Sequence, residues 1–381
     1  MKIFISAGEA SGDALGARLL ESLRRREPSL EAFGMGGPEL VQAGLHQVRD
    51  ASELGVVGLV EVIRHLPRLY RLLWDLADRA IAQRPDLAVL VDVPDFNVRL
   101  ARHLRRAGIP VVFYVGPTVW AWRPGRVARW KREARRMLLL FPFETGIWQS
   151  AGVDARCVGH PLLDEIKSPR RTDEVDAKTI ALLPGSRRSE LRRLLPVMLA
   201  AGAELAARGR VERFVLPVAP TLDAEEIRRM IETEAPAIAP QVELVRSPPG
   251  DASPRRRAIA RSAIALVASG TATLETALIG TPQVIVYRLS ALSWWLGRPF
   301  VKVEHLGLPN LIAGRTIVPE LLQNALTPEA LATVAGDLLE DSAPQVAALG
   351  ALRAALGPGA AAERAAEAIL ELVPSKSARA G

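Results

Sequence analysis

The sequence holds a single cysteine, Cys157, so it has neither an intramolecular disulfide nor a thiolate metal cluster. Its histidines, His46, His65, His103, His160 and His305, are scattered without the spacing of a metal site. His160, in Gly159-His160-Pro161, reads as a capping or hinge residue rather than a ligand. Aromatic residues make up only 5% of the chain, which weighs against a surface for stacking on nucleic-acid bases. The longest apolar run, Met137 to Phe143, contains Pro142 and falls far short of the about 20 residues a bilayer-spanning helix needs. The N-terminus, MKIFISAGEASGD, reaches glycine and charge too early for a secretory leader. No GxSxG nucleophile elbow and no GxxxxGK(S/T) phosphate loop occurs. The expectation is a cytoplasmic globular protein without metal or cofactor.

What is present fits a folded chain. Hydrophobic residues make up 49% and charged residues 24%, which rules out wholesale disorder. The 381 residues suit two domains of about 150–200 residues each. The net charge of +7 concentrates locally, in Arg123, Arg126, Arg129, Lys131, Arg132, Arg135 and Arg136, with Glu133 as the acid among them. Such a patch suits nucleic acid, an anionic membrane surface or a phosphorylated ligand, and equally a solvated helix face.

Strand-like and helix-like segments alternate along the chain. Strands are expected at Lys2–Ala7, Leu87–Val91, Pro110–Tyr114, Met137–Leu140 and Arg156–Val158, with a helix from Ala14 to Arg26. After a charged linker around 167–178 the pattern restarts. It runs through strand Thr179–Leu183, helix Glu190–Arg208, strand Arg213–Pro217, helix Ala224–Thr233 and strand Val242–Val245. Strand Ala263–Ala268, helix Thr271–Ile279 and strand Gln283–Tyr287 follow, and an Ala-rich helix runs from Gly359 to Val373. This pattern predicts an α/β protein of two doubly wound, Rossmann-like domains facing an interdomain cleft.

Five motifs carry chemistry. Gly8-Glu9-Ala10-Ser11-Gly12-Asp13 follows the first strand and is not a dinucleotide loop, because two acids would repel a pyrophosphate. A sugar contact through Glu9 and Ser11 suits it better, against the plain alternative of a capped turn. Asp92-Val93-Pro94-Asp95-Phe96-Asn97 follows the strand Leu87–Val91, where a carboxylate can act as general base. Asp95 is the candidate base and Asn97 a candidate substrate contact, while Asp92 reads as a turn or N-cap residue and is the alternative base in place of Asp95. Pro184-Gly185-Ser186-Arg187 opens a helix with backbone N–H groups and a guanidinium suited to a diphosphate. In the Ala268–Glu275 segment, Ser269, Gly270 and Thr271 are placed to meet phosphate and Glu275 to accept from ribose hydroxyls. Leu308–Arg315 offers Asn310 and Arg315, with Glu320 and Gln323 expected on a following helix.

An amphipathic stretch from Val56 to Ile81 places Val56, Leu59, Ile63, Leu66, Leu69, Leu72 and Leu73 among arginines, with Pro67 expected to kink or divide the helix. It is either a core helix with snorkelling arginines or a strip that docks on an anionic bilayer or holds acyl chains.

Together the segments GEASGD, GLVEV, DVPDFN, VWAWR, FPFE, VGHPLLD, LLPGSR, ASGTATLE and LPNLIAGR resemble the lipid-A-disaccharide synthase family, in its order from Ser6 to Arg315. One departure is Gly116 in YVGPTVWAWR, where a serine is expected. The resemblance implies an inverting, metal-independent GT-B glycosyltransferase. Its donor is UDP-2,3-diacylglucosamine, its acceptor is 2,3-diacylglucosamine 1-phosphate (lipid X), and its products are the β(1→6)-linked disaccharide 1-phosphate and UDP. It further implies an acceptor and membrane-facing domain at residues 1–166, joined by a C-terminal helix at about 359–381, and a UDP-sugar domain at 167–358. Peripheral association with an anionic inner-membrane surface is expected and no nucleic acid, with homodimer formation left open. The alternatives are another GT-B enzyme using UDP-N-acetylglucosamine, transferase or epimerase, and a basic RNA- or membrane-binding module.

Overall fold

Strands buried on both faces read as short continuous apolar runs, and two parallel sheets grow from such runs here. The computed structural model describes residues 1–54, 59–117, 127–248, 250–289 and 305–373, the side chains of 59–66 excepted. The chain divides into two compact units, Met1–Asp164 with Pro358–Gly381, and Glu165–Gly357.

In the first unit β1 (Lys2–Ala7), β2 (Glu31–Gly36), β3 (His46–Asp50), β4 (Leu87–Val91), β5 (Val111–Tyr114), β6 (Arg136–Leu139) and β7 (Ala155–Cys157) form one parallel sheet. Its strand order is β3-β2-β1-β4-β5-β6-β7. The helices α1 (Ala10–Arg26), α2 (Pro38–Gln42), α3 (Leu59–Gln83), α4 (Pro94–Arg106), α5 (Val127–Glu133) and α6 (Pro142–Ser150) wrap it. Period-two alternation feeds two cores. Ile3, Ile5, Val89 and Val91 face Leu19, Leu20 and Leu23 of α1, whereas Phe4, Ala88 and Leu90 face Leu73, Leu76, Leu100 and Leu104 of α3 and α4. Pro67 does not divide α3, which runs unbroken as one helix. A proline costs one backbone hydrogen bond, and the buried Leu72, Leu73 and Leu76 anchor the C-terminal part of the helix against the sheet.

After α7 (Leu162–Glu165), the second unit builds a six-stranded parallel sheet from β8 (Asp176–Leu183), β9 (Arg213–Val218), β10 (Val242–Arg246), β11 (Ser262–Ala268), β12 (Gln283–Tyr287) and β13 (Glu320–Leu322). The order is β10-β9-β8-β11-β12-β13. Around it lie α8 (Arg188–Ala207), α9 (Ala224–Glu234), α10 (Ser253–Arg261), α11 (Thr271–Ile279), α12 (Leu308–Ala313), α13 (Pro328–Glu340) and α14 (Ala343–Ala355). Sequence sets their ends: the Asp223 carboxylate caps α9 through Glu225 N–H, and Thr327 caps α13 through Ala330 N–H ahead of Pro328. Glu320, expected on a helix, lies in β13.

The chain then returns to the first unit as α15 (Ala361–Leu370), packed on α1 through Ala365, Ala366 and Ile369. Three sets of polar contacts hold it. Asp164 accepts from Ala361 N–H at 3.1 Å, and Arg25 and Arg26 pair with Glu363 and Glu367 at 2.7 and 2.6 Å. The third is Arg136, buried and bridging Asp154 at 2.8 Å and Glu371 at 3.0 Å. Arg136 is therefore a structural pin rather than part of the exposed basic patch in which its sequence neighbours place it. Arg123 and Arg126 lie outside the described residues.

Because Ile369 is fully buried while Arg25 and Glu363 are solvent-exposed, packing should outweigh surface pairing in holding α15. Ile369→Ala should cost about 2–5 kcal/mol in urea unfolding, and Glu363→Ala less than about 1 kcal/mol. Equal losses would contradict that order.

Candidate active site

Doubly wound sheets bind ligands outside the carboxyl ends of the strands at the point where strand order reverses. In the first unit that point lies between β1 and β4, which pair in register up to Ala7 and Val91. The two motifs GEASGD and DVPDFN leave the sheet at these residues. In the second unit it lies between β8 and β11, paired up to Leu183 and Val267, and there the GSR and SGT turns begin.

The two motifs of the first unit interlock. Glu9 is the N-cap of α1, so Ser11, Gly12 and Asp13 are helical and not part of a loop. A Cβ on Gly12 would lie 3.4 Å from Cβ of Asp92, and one on Gly8 would strike Leu54 at 2.4 Å and Val93 at 2.9 Å. The glycines therefore let α1 approach the β4 turn. Ser11, next to Gly12, thus lies beside the Asp92 carboxyl. Asp13 is turned away and caps α2, accepting from Gly37 N–H at 2.6 Å and Glu39 N–H at 2.9 Å.

The β4 turn itself is strained. Asp92 and Val93 both adopt left-handed backbone, with φ of 53° and 40°, and just past the neighbouring strand β5 Val115 has φ 74°. Such residues cost about 1–3 kcal/mol each and persist only where the surroundings over-determine them. Asn97 supplies much of that determination. Expected as a substrate contact, it is buried, and its amide donates to the carbonyls of Val91 at 3.1 Å and Asp92 at 2.6 Å. Its Oδ1 accepts from Ser6 at 3.2 Å. These bonds are worth about 1 kcal/mol each, enough to offset one strained residue but not two. Both amide hydrogens are spent on backbone, so Asn97 shapes the turn.

The consequence is the placement of Asp95. Val93 is the N-cap of α4, Pro94 occupies its first position, and Asp95 stands exposed in its first turn. Its carbonyl accepts from the guanidinium of Arg99.

In the second unit the GSR turn already holds an anion. Glu190 Oε2 accepts from the N–H groups of Ser186 at 3.1 Å and Arg187 at 3.3 Å, while its Oε1 meets the Arg187 guanidinium at 3.2 Å. Gly185, at φ 107°, leaves room for that carboxylate. A Glu three residues into a helix is the local sequence signal of this cap. At the SGT turn Gly270 and Thr271 are exposed, and Ser269 donates to the Leu306 carbonyl at 3.1 Å.

Two expected contacts are bonded within the unit. Glu275, only 3% exposed, accepts from Arg255 at 2.7 Å and Arg256 at 2.9 Å, both on Oε1, and Arg256 continues to Glu165. Asn310, fully buried, donates to the Val318 carbonyl and Glu320 and accepts from the N–H groups of Ile317 and Val318, all between 2.7 and 2.9 Å. Its capacity is spent on its own loop, whose start Glu320 also pins through Leu306 and Gly307 N–H at 2.9 and 3.0 Å. Arg315 beyond it is exposed. His160 accepts from Leu162 N–H at 3.2 Å, a capping role.

The expected membrane strip is corrected too. Leu72 and Leu73 are buried against the sheet and Leu69 is half-buried. Val56 and the side chains of Leu59, Ile63 and Leu66 lie outside the described residues. Over the described side chains of α3 the periodicity places Leu72, Leu73 and Leu76 in the core, while Arg68, Tyr70, Arg71 and Trp74 are exposed. No helix among the described residues is long and apolar enough to cross a membrane. Nor does any group of three or more His, Cys, Asp and Glu among them stand ready for a metal ion. At Gly116 the place of a serine Cβ is taken by Leu139, 2.5 Å away, and the buried indole N–H of Trp148 nearby has no partner among the described residues.

Burial pushes the Asp92 carboxyl above its usual value, against the pull of Val93 N–H and Ser11. A carboxyl whose folded pKa exceeds its unfolded value costs stability once pH rises through that interval. Asp92→Asn should therefore be more heat-stable than wild type at pH 7, with the gain shrinking as pH falls towards about 4. A neutral-pH loss, or a gain independent of pH, would contradict this.

A family model for lipid-A-disaccharide synthetase matches residues 3–357. A lipid-A-disaccharide synthase of Myxococcus xanthus is 44% identical over 384 residues, covering 98% of each chain. One of Anaeromyxobacter dehalogenans is 46% identical over 381 residues, covering 97% of each. Among solved structures, a UDP-GlcNAc 2-epimerase from Neisseria meningitidis bound to UDP-GlcNAc aligns with TM-score 0.67 at 14% identity, covering 97% of this chain and all (100%) of that one. The glycotransferase of kitacinnamycin aligns with TM-score 0.66 at 17% identity over 98% and 99% of the two chains. At such identities these structures establish the fold alone. The chain belongs to the lipid-A-disaccharide synthetase family and is a glycosyltransferase of lipid A biosynthesis built on the GT-B fold.

Proposed function

We propose that the chain joins UDP-2,3-diacylglucosamine to 2,3-diacylglucosamine 1-phosphate, giving the β(1→6)-linked disaccharide 1-phosphate and UDP. The observation that carries the residue assignment is Asp95, an exposed carboxylate fixed at a strained turn on the topological switch point of the first sheet. In this reading the acceptor's 6-hydroxyl oxygen attacks the anomeric carbon from the face opposite UDP. The hydroxyl proton passes to the Asp95 carboxylate as the bond between the anomeric carbon and the diphosphate oxygen breaks. Inversion at that carbon follows from the single displacement. Glu9, exposed at the N-cap of α1, is the acceptor-sugar contact.

The departing diphosphate needs positive groups in place of a metal. Arg187, whose side chain is 75% exposed, and the SGT turn of Ser269, Gly270 and Thr271 at the head of α11 are suited to it, with Arg315 as a further cation. The Glu190 carboxylate on the GSR turn occupies N–H groups suited to a phosphate, so a diphosphate bound there displaces it. Peripheral contact with an anionic bilayer is assigned to the outward side of α3. There Tyr70 and Trp74 are 46% and 52% exposed beside Arg68 and Arg71, a pairing suited to the headgroup layer.

Mass spectrometry of the purified chain with both diacylated monosaccharides and no added metal tests this. Wild type should yield the disaccharide 1-phosphate, and Asp95→Asn should be slower by at least about 10²-fold. Near-normal turnover by the variant would remove Asp95 as base. No product from folded wild type would overturn the substrate assignment.

A further inference from the structure

Buried polar side chains around α12 use all the atoms they have. Glu320 employs both carboxylate oxygens, Oε1 for Gly307 N–H and the Asn310 amide and Oε2 for Leu306 N–H, and Asn310 employs both its nitrogen and its oxygen. Glu275 on α11 is bonded differently. Arg255 Nη2 at 2.7 Å and Arg256 Nε at 2.9 Å both donate to its Oε1. Its Oε2 takes no bond among the described residues and is not sealed from solvent. Arginine and carboxylate frequently meet as a fork on both oxygens, which satisfies a buried ion pair best. Here two arginines crowd one oxygen and leave its twin with free lone pairs. Arg256 supplies the reason. Its Nη2 donates to Glu165, the last residue of α7, so the guanidinium lies between two carboxylates and offers Glu275 only its Nε edge. Glu275 stands four residues after Thr271, on the same face of α11 and one turn in from the SGT turn.

Resting on the reading of the SGT turn as a seat of the UDP diphosphate, we propose that Arg256, braced by Glu165, is a positioning residue that holds Glu275 by Oε1 and so presents Oε2 to a ribose hydroxyl of the donor nucleotide. One helical turn is about 5.4 Å, comparable with the span from a nucleotide's first phosphate to its ribose hydroxyls. An acidic side chain that answers ribose near a phosphate-binding helix head is a recurrent arrangement in doubly wound folds. The arginines offset the burial of the Glu275 charge. A carboxylate has no hydrogen to give, so what Oε2 selects is a donor, and a deoxyribose leaves it unanswered. Arg256 touches no nucleotide in this arrangement and acts through Glu275.

The test is isothermal titration calorimetry of the full chain with UDP, 2′-deoxy-UDP and 3′-deoxy-UDP, run below the unfolding midpoint of every variant. Wild type should prefer UDP over at least one deoxy analogue by about 10–10²-fold, the contribution of one hydrogen bond to a charged group. Glu275→Gln, which puts an NH2 in place of an acceptor oxygen, should lose most of that preference. Arg256→Ala should lose it to the same extent while binding the deoxy analogue about as tightly as wild type does. Glu165→Gln, which weakens the brace and keeps the arginine, should lose part of it and decides the matter should Arg256→Ala fail to fold. Equal weakening of all three ligands would make the relay a structural pin and overturn the proposal. So would a wild type that binds both deoxy analogues as tightly as UDP. An unchanged preference in Arg256→Ala, or in Glu165→Gln where the alanine variant does not fold, would overturn it too. Failure of folded wild type to bind UDP would overturn the nucleotide reading itself, and the proposal with it.

Discussion

The Asn97 amide, turned back from the first helix turn onto the end of β4, is the interaction on which the site of the first unit depends. A strand buried on both faces ends with carbonyls that have lost their ladder and cannot reach water. An orphaned acceptor there costs as much as a lost hydrogen bond. Asn97 answers two of them, on Val91 and Asp92, and its own oxygen is answered by Ser6 in β1. With those bonds made, the chain between β4 and α4 shrinks to two left-handed residues, and Asp95 emerges in the open.

The second unit repeats the logic with other residues. Asn310 and Glu320 spend their hydrogen-bonding capacity on the loop around α12, and Glu190 folds the GSR turn around itself. Glu275 ties α11 to α10 through two arginines. Breaking such a buried pair by removing one partner is costly, because it strands the other charge. In both units the buried polar residues build the switch-point turns. Glu9 and Asp95 in one unit and Arg187 and Thr271 in the other are exposed at those turns.

Much of the fold was legible because parallel strands covered on both faces read as apolar runs. Lys2–Ala7, Leu87–Val91 and Gln283–Tyr287 lie where such runs occur, and Thr271–Ile279 is bounded by Gly270 and Gly280. β2 and β3 escaped for opposite reasons. β2, EAFGMG, carries Gly34 at φ 146°, where a Cβ would sit 1.9 Å from the Ile5 carbonyl, so its glycine serves the neighbouring strand and breaks the apolar pattern. β3, HQVRD, is an edge strand with largely polar residues. The amphipathic period of α3 was legible, but not that Leu72 and Leu73 face the sheet. Periodicity finds a stripe without saying what lies against it. The same limit explains Asn97 and Asn310. A motif names a polar residue at a strand end, but whether its partner is a ligand or a backbone carbonyl is decided by tertiary packing.

The most direct measurement is the turnover of Asn97→Ala at saturating substrates, at a temperature where circular dichroism finds it folded. If the amide holds the turn that aims Asp95, kcat should fall by about 10²-fold while KM stays put. A folded Asn97→Ala enzyme that turns over like wild type would contradict the account, leaving the strained turn a feature of the fold with no part in the chemistry.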